Sequence, residues 1–286
     1  MRSAGVIGWP VAHSKSPLIH RFWLAKLGLD GDYGRFAVAP EQLGDAIRAL
    51  PALGLAGVNV TVPHKVAVMP HLDRIDDLAA RVGAVNTVVA KDGALVGYNT
   101  DVAGFIEPLN TLMQRPGRGK WLDLIGTGGA ARAVAAAWHQ NDSGLTIYAR
   151  DRAKAAALGV EVGLSDDEED YPDLSDLQRS TIRPNPAYRG NGRGYDHVIV
   201  NATTLGMAGQ PALAINLDDY PDDTIVYDLV YAPLETPLLA AARVRGLRTI
   251  DGLAMLIGQA ATAFVLFFGA PAPREHDAEL RALLTA

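Results

Sequence analysis

The chain has 286 residues, enough for one large or two ordinary domains, and its 49% hydrophobic and 20% charged content suits a packed core. A net charge of −6 argues against nucleic acid or an anionic membrane as a partner held by bulk electrostatics. The absence of cysteine excludes disulfides, thiolate catalysis and cysteine-ligated zinc, and fits a cytoplasmic setting. Taken in chain order, short β-rich runs alternate with helical patterns, which predicts βαβ units. Val6-Ile7-Gly8 reads as the first strand, followed by a helix that Ser16-Pro17 opens as cap and first residue and that runs to about Leu27. Tyr33 to Val38 reads as a strand, Glu41 to Leu50 as a helix and Gly57 to Val62 as a third strand. Asp76 to Val82 is predicted helical. Ala84 to Ala90 and Ala94 to Tyr98 then form a hairpin on the Asp92-Gly93 turn, with a helix from about Val102 to Met113.

Arg115 to Lys120 is a linker-like break. Beyond it, Trp121 to Ile125 is a strand running into Gly126-Thr127-Gly128-Gly129-Ala130-Ala131, with a helix to about His139 and a strand at Leu145 to Ala149. The acidic, Pro- and Gly-containing tract from Val162 to Tyr195 reads as an exposed, partly mobile loop with no assigned chemistry. His197 to Asn201, Thr224 to Leu229 and Leu247 to Ile250 supply further strands. Leu253 to Phe268 is the most apolar stretch and reads as a buried helix, too short for a confident membrane span.

The densest chemistry lies in Asn59-Val60-Thr61-Val62-Pro63-His64-Lys65. On a strand Asn59 and Thr61 share one face while Val60 and Val62 turn to a core, and Pro63 is suited to open a helix. The segment presents an amide, a hydroxyl and an ammonium, which suits gripping a polyhydroxylated small molecule and moving one of its protons. Ser14 and Ser16, on a loop before a helix, make a carboxylate seat near the helix's positive end. Asn86 opens a strand and Asp101 a helix. Asp101 serves either as a plain N-cap or as the carboxylate that orients Lys65. Gln259 interrupts the apolar helix, and a buried amide needs either a ligand or a helix–helix partner. None of the histidines pairs at metal-ligand spacing, so no metal is expected.

Gly126-x-Gly128-x-x-Ala131 follows a strand and opens a helix, which is the context of the Rossmann fingerprint. The glycines let the backbone approach a pyrophosphate, and the helix start supplies N–H donors. Cofactor choice falls to the end of the second strand, Ala149-Arg150-Asp151-Arg152-Ala153-Lys154. Arg150 and Lys154 favour the 2′-phosphate of NADP. Asp151 would repel it and leaves NAD open, unless it is only an N-cap.

Together these segments resemble the shikimate dehydrogenase family. Gly8-Trp9-Pro10-Val11-Ala12-His13-Ser14-Lys15-Ser16-Pro17, the Asn59 to Lys65 segment, Gly83-Ala84-Val85-Asn86-Thr87 and Asn99-Thr100-Asp101 are similar to its N-terminal motifs. Asn201-Ala202-Thr203, Asp228-Leu229-Val230-Tyr231 and Asp251 to Gln259 continue the match in order. The resemblance implies a two-domain α/β fold. Residues 1–101 and 253–286 would form the substrate domain and residues 102–252 a Rossmann domain, in a monomer or homodimer. It implies reduction of 3-dehydroshikimate to shikimate with NADPH, in aromatic amino-acid biosynthesis. Lys65 and Asp101 would be the catalytic pair. Ser14, Ser16 and Tyr231 would hold the substrate carboxylate, and Asn59, Thr61, Asn86 and Gln259 its ring hydroxyls. Gly126, Thr127, Gly128, Gly129, Ala130, Ala131, Arg150, Asp151, Lys154, Thr203, Leu229, Gly252 and Met255 would line the cofactor site. Two departures stand out. Ala149-Arg150-Asp151 replaces the family's Asn-Arg-Thr, and Ala254 replaces a glycine before Met255. The alternatives are an NAD-dependent quinate/shikimate dehydrogenase, and a non-catalytic ligand-sensing module, which should have lost Lys65 or Asp101.

Overall fold

The computed structural model describes residues 1–113, 119–138, 143–161 and 195–286. The tract read as an exposed loop, apart from Tyr195, lies outside the described residues, as do His139 and most of the linker-like break. The first elements are β1 Arg2–Gly8, α1 Ser16–Leu27, β2 Gly31–Ala37, α2 Leu43–Ala49, β3 Leu55–Val60 and β4 Arg74–Ile75. Next come α3 Asp77–Val82, β5 Thr87–Lys91, β6 Ala94–Tyr98 and α4 Asp101–Leu112. Then follow β7 Gly119–Ile125, α5 Gly129–Trp138, β8 Ser143–Tyr148, α6 Arg152–Glu161, β9 Tyr195–Asn201 and β10 Ile225–Asp228. The last are α7 Pro237–Val244, β11 Arg248–Ile250, α8 Gly252–Phe268 and α9 Asp277–Thr285. No helix among the described residues is long and apolar enough to cross a membrane.

The chain divides into two compact units, Met1–Gly104 with Leu256–Ala286, and Phe105–Met255. The first unit carries a mixed sheet of order β2-β1-β3-β5-β6-β4. The parity of its strands puts apolar residues on both faces. Ile7, Val58, Val60 and Val88 pack with Leu43 and Ile47 of α2 and Ala79 of α3. Ala4, Val6, Tyr33 and Val89 pack with Ala263 and Phe267 of α8. The expected hairpin forms, with Asp92 and Gly93 at φ 52° and 77°, but its first strand begins only at Thr87.

Three local readings are corrected. Ser16 does not cap α1: the cap position falls on Lys15, and no side chain caps the helix. Nor does Pro63 open a helix. β3 ends at Val60, Val62 is 65% exposed rather than in the core, and the chain runs through turns to Met69. Tertiary bonds pin this segment. The Lys65 carbonyl accepts from the Val85 N–H at 2.8 Å, and buried His64 meets the Val38 carbonyl at 2.8 Å through Nε2.

The second unit is a five-stranded parallel sheet of order β11-β10-β9-β7-β8. Ile125, Ile199 and Val226 pack with Leu238, Leu239 and Ala242 of α7, while Tyr227 stacks on Phe105 of α4 at 5.4 Å. Between β7 and β9 the direction of winding reverses, and in such sheets ligands bind at the strands' carboxyl ends at that switch point. One buried polar cluster lies inside this unit, where the Asp123 carboxylate accepts from the Tyr220 hydroxyl at 2.9 Å beside His197 at 3.2 Å.

His20 is buried in the first unit's core. It stacks on Tyr33 at 4.0 Å, with Trp23, Phe264 and Phe267 around it and neither ring nitrogen bonded. Burial lowers its pKa from 6.5 to about 3. Below pH 6.5 the unfolded chain takes up a proton that the folded chain refuses until near pH 3, so folding stability is lost as pH falls through that window. Between about pH 7 and about pH 5, the thermal midpoint of the wild type should therefore fall further than that of His20→Phe. Equal falls in the two proteins would contradict this assignment.

Candidate active site

Val58 and Val60 face the α2–α3 side of the first sheet, so Asn59 between them faces the other way. Antiparallel register sets Asn59 opposite Thr87 of β5, and its Nδ2 donates to the Thr87 hydroxyl at 2.9 Å. Tyr33 reaches over β1, which lies between β2 and β3, and donates its hydroxyl to Asn59 Oδ1 at 2.6 Å. Asn59 Nδ2 also reaches the Asn86 carbonyl at 3.3 Å. The Asn59 amide is thus bonded at both ends within the fold.

Asn86 precedes β5, and its amide is fully engaged. Nδ2 donates to the Thr100 hydroxyl at 2.9 Å and to Asp101 Oδ1 at 2.8 Å, while Oδ1 accepts the Thr100 N–H at 2.8 Å. Asn99 fixes the start of α4: its Oδ1 accepts the Asp101 N–H at 3.0 Å and its Nδ2 donates to the Ala84 carbonyl at 2.9 Å. Lys65, delivered by the pinned loop, donates its Nζ to Asp101 Oδ2 at 2.6 Å. The pair is nearly enclosed, the lysine side chain 15% and the carboxylate side chain 6% exposed. Gln259 comes from α8. Its Oε1 lies 3.5 Å from the Thr100 hydroxyl and its Nε2 donates to the Leu256 carbonyl at 2.8 Å.

Ser14 and Ser16 are both buried, with 3.2 Å between their hydroxyl oxygens. Burial pushes the Tyr33 hydroxyl well above the ordinary phenol range, so it stays protonated as a donor. Thr61 follows β3, with its N–H on the Ile7 carbonyl. The first unit therefore brings Asn59, Lys65, Asn86, Asp101 and Gln259 into one polar network. Tyr231 belongs to the second unit, where it follows β10. The sequence reading missed Tyr33, Thr87, Asn99 and Thr100 as members. Asn99 and Thr100 were visible only as neighbours of Asp101, and Tyr33 and Thr87 read as ordinary strand residues.

In the second unit the glycine loop lies at the switch point. Gly126 takes φ +119°, and a Cβ there would come within 3.0 Å of the Ala202 carbonyl, so this turn needs glycine. Thr127, Gly128, Gly129, Ala130 and Ala131 lead into α5, and among the described residues nothing beyond its chain neighbours lies within 4 Å of where a Cβ on Gly128 would stand. Such a backbone is open to close approach by a pyrophosphate, so the residues fit a dinucleotide. The neighbouring Thr203 is held by Asn201, whose Oδ1 accepts the Thr203 hydroxyl at 2.7 Å. Asn201 in turn donates to Asp228 at 2.9 Å, and Asp228 accepts from Thr236 at 2.6 Å. Burial raises the Asp228 pKa, and bonds from Thr236, Val230 and Asn201 oppose that rise. Gly252 lies against the Leu229 and Val230 carbonyls, where a Cβ would clash at 2.4 and 2.5 Å. Met255 is buried one turn into α8.

Asp151 stands at the start of α6. Its Oδ1 accepts the Lys154 N–H at 3.2 Å and its Oδ2 pairs with Lys154 Nζ at 3.3 Å. These bonds, the backbone one first, lower its pKa. Arg150 is exposed and makes no ion pair among the described residues.

Fold and site together define a class, an α/β protein made of a Rossmann-type unit and a unit that carries an enclosed lysine–aspartate pair. Residues 6–88 match the model of the shikimate dehydrogenase substrate binding domain, and residues 252–279 that of the shikimate 5'-dehydrogenase C-terminal domain. Shikimate dehydrogenase (NADP(+)) of Sphingopyxis alaskensis is 49% identical over 99% of this chain and 97% of its own. Shikimate 5-dehydrogenase of Thermus thermophilus, solved with NADP(H) and shikimate, is 34% identical at a TM-score of 0.78, over 99% of this chain and 100% of that one. Quinate dehydrogenase of Corynebacterium glutamicum, solved with NAD, is 30% identical at a TM-score of 0.81, over 99% of each chain. The chain belongs to the shikimate dehydrogenase family.

Asn86→Ala would leave the buried Thr100 N–H and Asp101 Oδ1 each short of a partner. It is expected to lower the unfolding free energy by about 1–3 kcal/mol in denaturant titration. A change below about 0.5 kcal/mol would contradict this reading of the network.

Proposed function

We propose that the chain catalyses the reversible, NADPH-dependent reduction of 3-dehydroshikimate to shikimate, a step toward the aromatic amino acids. Residues 1–101 and 253–286 take the substrate, and residues 102–252 take the dinucleotide. The observation that carries this reading is the enclosed Lys65–Asp101 pair within a ring of hydroxyl and amide groups.

Reducing a ketone puts a hydride on carbon and leaves negative charge on oxygen. When bound, the nicotinamide supplies that hydride. Lys65, as an ammonium, stabilises the developing alkoxide and gives it a proton, then regains one from solvent. Asp101 orients Lys65 and accepts from a ring hydroxyl. Ser14, Ser16 and Tyr231 hold the carboxylate through hydroxyl donors. Thr61, Asn86 and Gln259 face the ring, and Asn59, bonded at both ends, acts by shaping that wall. Gly126 to Ala131 hold the pyrophosphate. Arg150 and Lys154 take the 2′-phosphate, and Thr203, Leu229, Gly252 and Met255 line the nicotinamide side.

Asp151 is the feature that would favour NAD. Its carboxylate is engaged by the first turn of α6 and by Lys154, which supports a capping role and leaves Arg150 for the phosphate. Initial rates of shikimate and quinate oxidation, each with NADP and with NAD, test this reading. Shikimate with NADP should exceed every other combination by about tenfold or more in kcat/KM, a difference of about 1.4 kcal/mol. Comparable rates with NAD, above all on quinate, would overturn the cofactor and substrate assignment.

A further inference from the structure

The lysine next to the two-serine seat is engaged elsewhere. Lys15 stands between Ser14 and Ser16, yet its Nζ donates to the Leu284 carbonyl in α9. The cation that does reach the seat comes from β2. Arg35 Nε and Nη2 both donate to the Ser14 carbonyl, at 2.8 and 2.6 Å. Arg35 follows Tyr33 by two residues, so the two side chains leave β2 on one face. One engages the Ser14 carbonyl and the other Asn59.

A guanidinium fork usually meets a carboxylate, which neutralises it. Here both donors go to one neutral carbonyl, and Arg35 makes no ion pair among the described residues. Among the described residues its positive charge therefore has no carboxylate partner beside Ser14. The clamp also orients the peptide that joins Ser14 to Lys15, and so the loop that carries both hydroxyls.

We infer that Arg35 is a positioning and specificity-determining residue, holding the Ser14–Ser16 loop and lending the seat a charge preference for an anionic ring substituent over its neutral counterpart. The inference rests on the proposed reading of Ser14 and Ser16 as a carboxylate seat. Arg35 is exposed, so its field is screened and its effect moderate and salt-dependent.

The test pairs a charge change in the protein with one in the ligand. KM and kcat are measured for shikimate with NADP in the wild type, Arg35→Gln and Arg35→Lys. Shikimate methyl ester is followed in parallel, as a substrate or, without turnover, as a competitive inhibitor. Arg35→Gln should raise the KM for shikimate by about three- to tenfold with kcat little changed, and the rise should shrink between about 0.05 and about 0.5 M salt. The ester's KM or inhibition constant should move much less. Arg35→Lys, which keeps the charge and loses the fork, should fall between wild type and Arg35→Gln. An equal loss for acid and ester would make Arg35 a purely structural clamp and overturn the inference, as would no loss for either. Inactivity of the wild type toward shikimate would instead sink the proposed reaction, a separate result.

Discussion

The first unit is organised around one interaction, the ion pair between Lys65 and Asp101. Taking two charges out of water costs several kcal/mol per ion, and an enclosed pair survives only when its geometry is good and its remaining polar atoms are bonded. The carboxylate meets both conditions. The carboxylate takes Lys65 Nζ on one oxygen and Asn86 Nδ2 on the other. Around it, the turn at Asn99, the pinned loop at Lys65 and the register of β3 against β5 each fix one corner. In the proposed reaction the same arrangement makes the lysine a preorganised donor, aimed before substrate arrives.

The second unit solves a different problem, which is to leave backbone exposed at one end of a fully paired sheet. Strand order puts the turns after β7 and β9 side by side, close enough that only glycine fits at 126. The buried chain from Thr203 through Asn201 and Asp228 to Thr236 stiffens the turn after β9 and ties it to α7. No part of that chain needs a ligand to be satisfied, so the turn is held in place by the protein alone.

Much of the fold was legible because apolar periodicity and turn residues state it directly. The glycine loop after Ile125, the Asp92-Gly93 hairpin and the apolar helix after Asp251 are local signals that structure has no reason to override. Local rules failed where tertiary bonds took over. Ser16-Pro17 reads as a helix cap, but the Ser16 hydroxyl accepts from Ser14 instead. Val62 looks like a core position, but β3 ends two residues earlier, and the chain beyond it is pinned where the Lys65 carbonyl accepts from Val85. Tyr33 and Arg35 carried no local signal at all. Their place beside the serine seat follows from β2 lying next to β1, a pairing that periodicity does not encode. Asp151 shows the reverse, since its two readings could be separated only by seeing which atoms its oxygens accept from.

The central claim is that Lys65 and Asp101 act as a unit, one moving the proton and the other aiming it. The most direct test is a double-mutant cycle on turnover, using Lys65→Ala, Asp101→Ala and the double variant with shikimate and NADP. If the two act together, the double variant loses no more turnover than the worse single variant. Losses that multiply across the two substitutions would mean that each residue contributes independently, and the account of a coupled pair would be wrong.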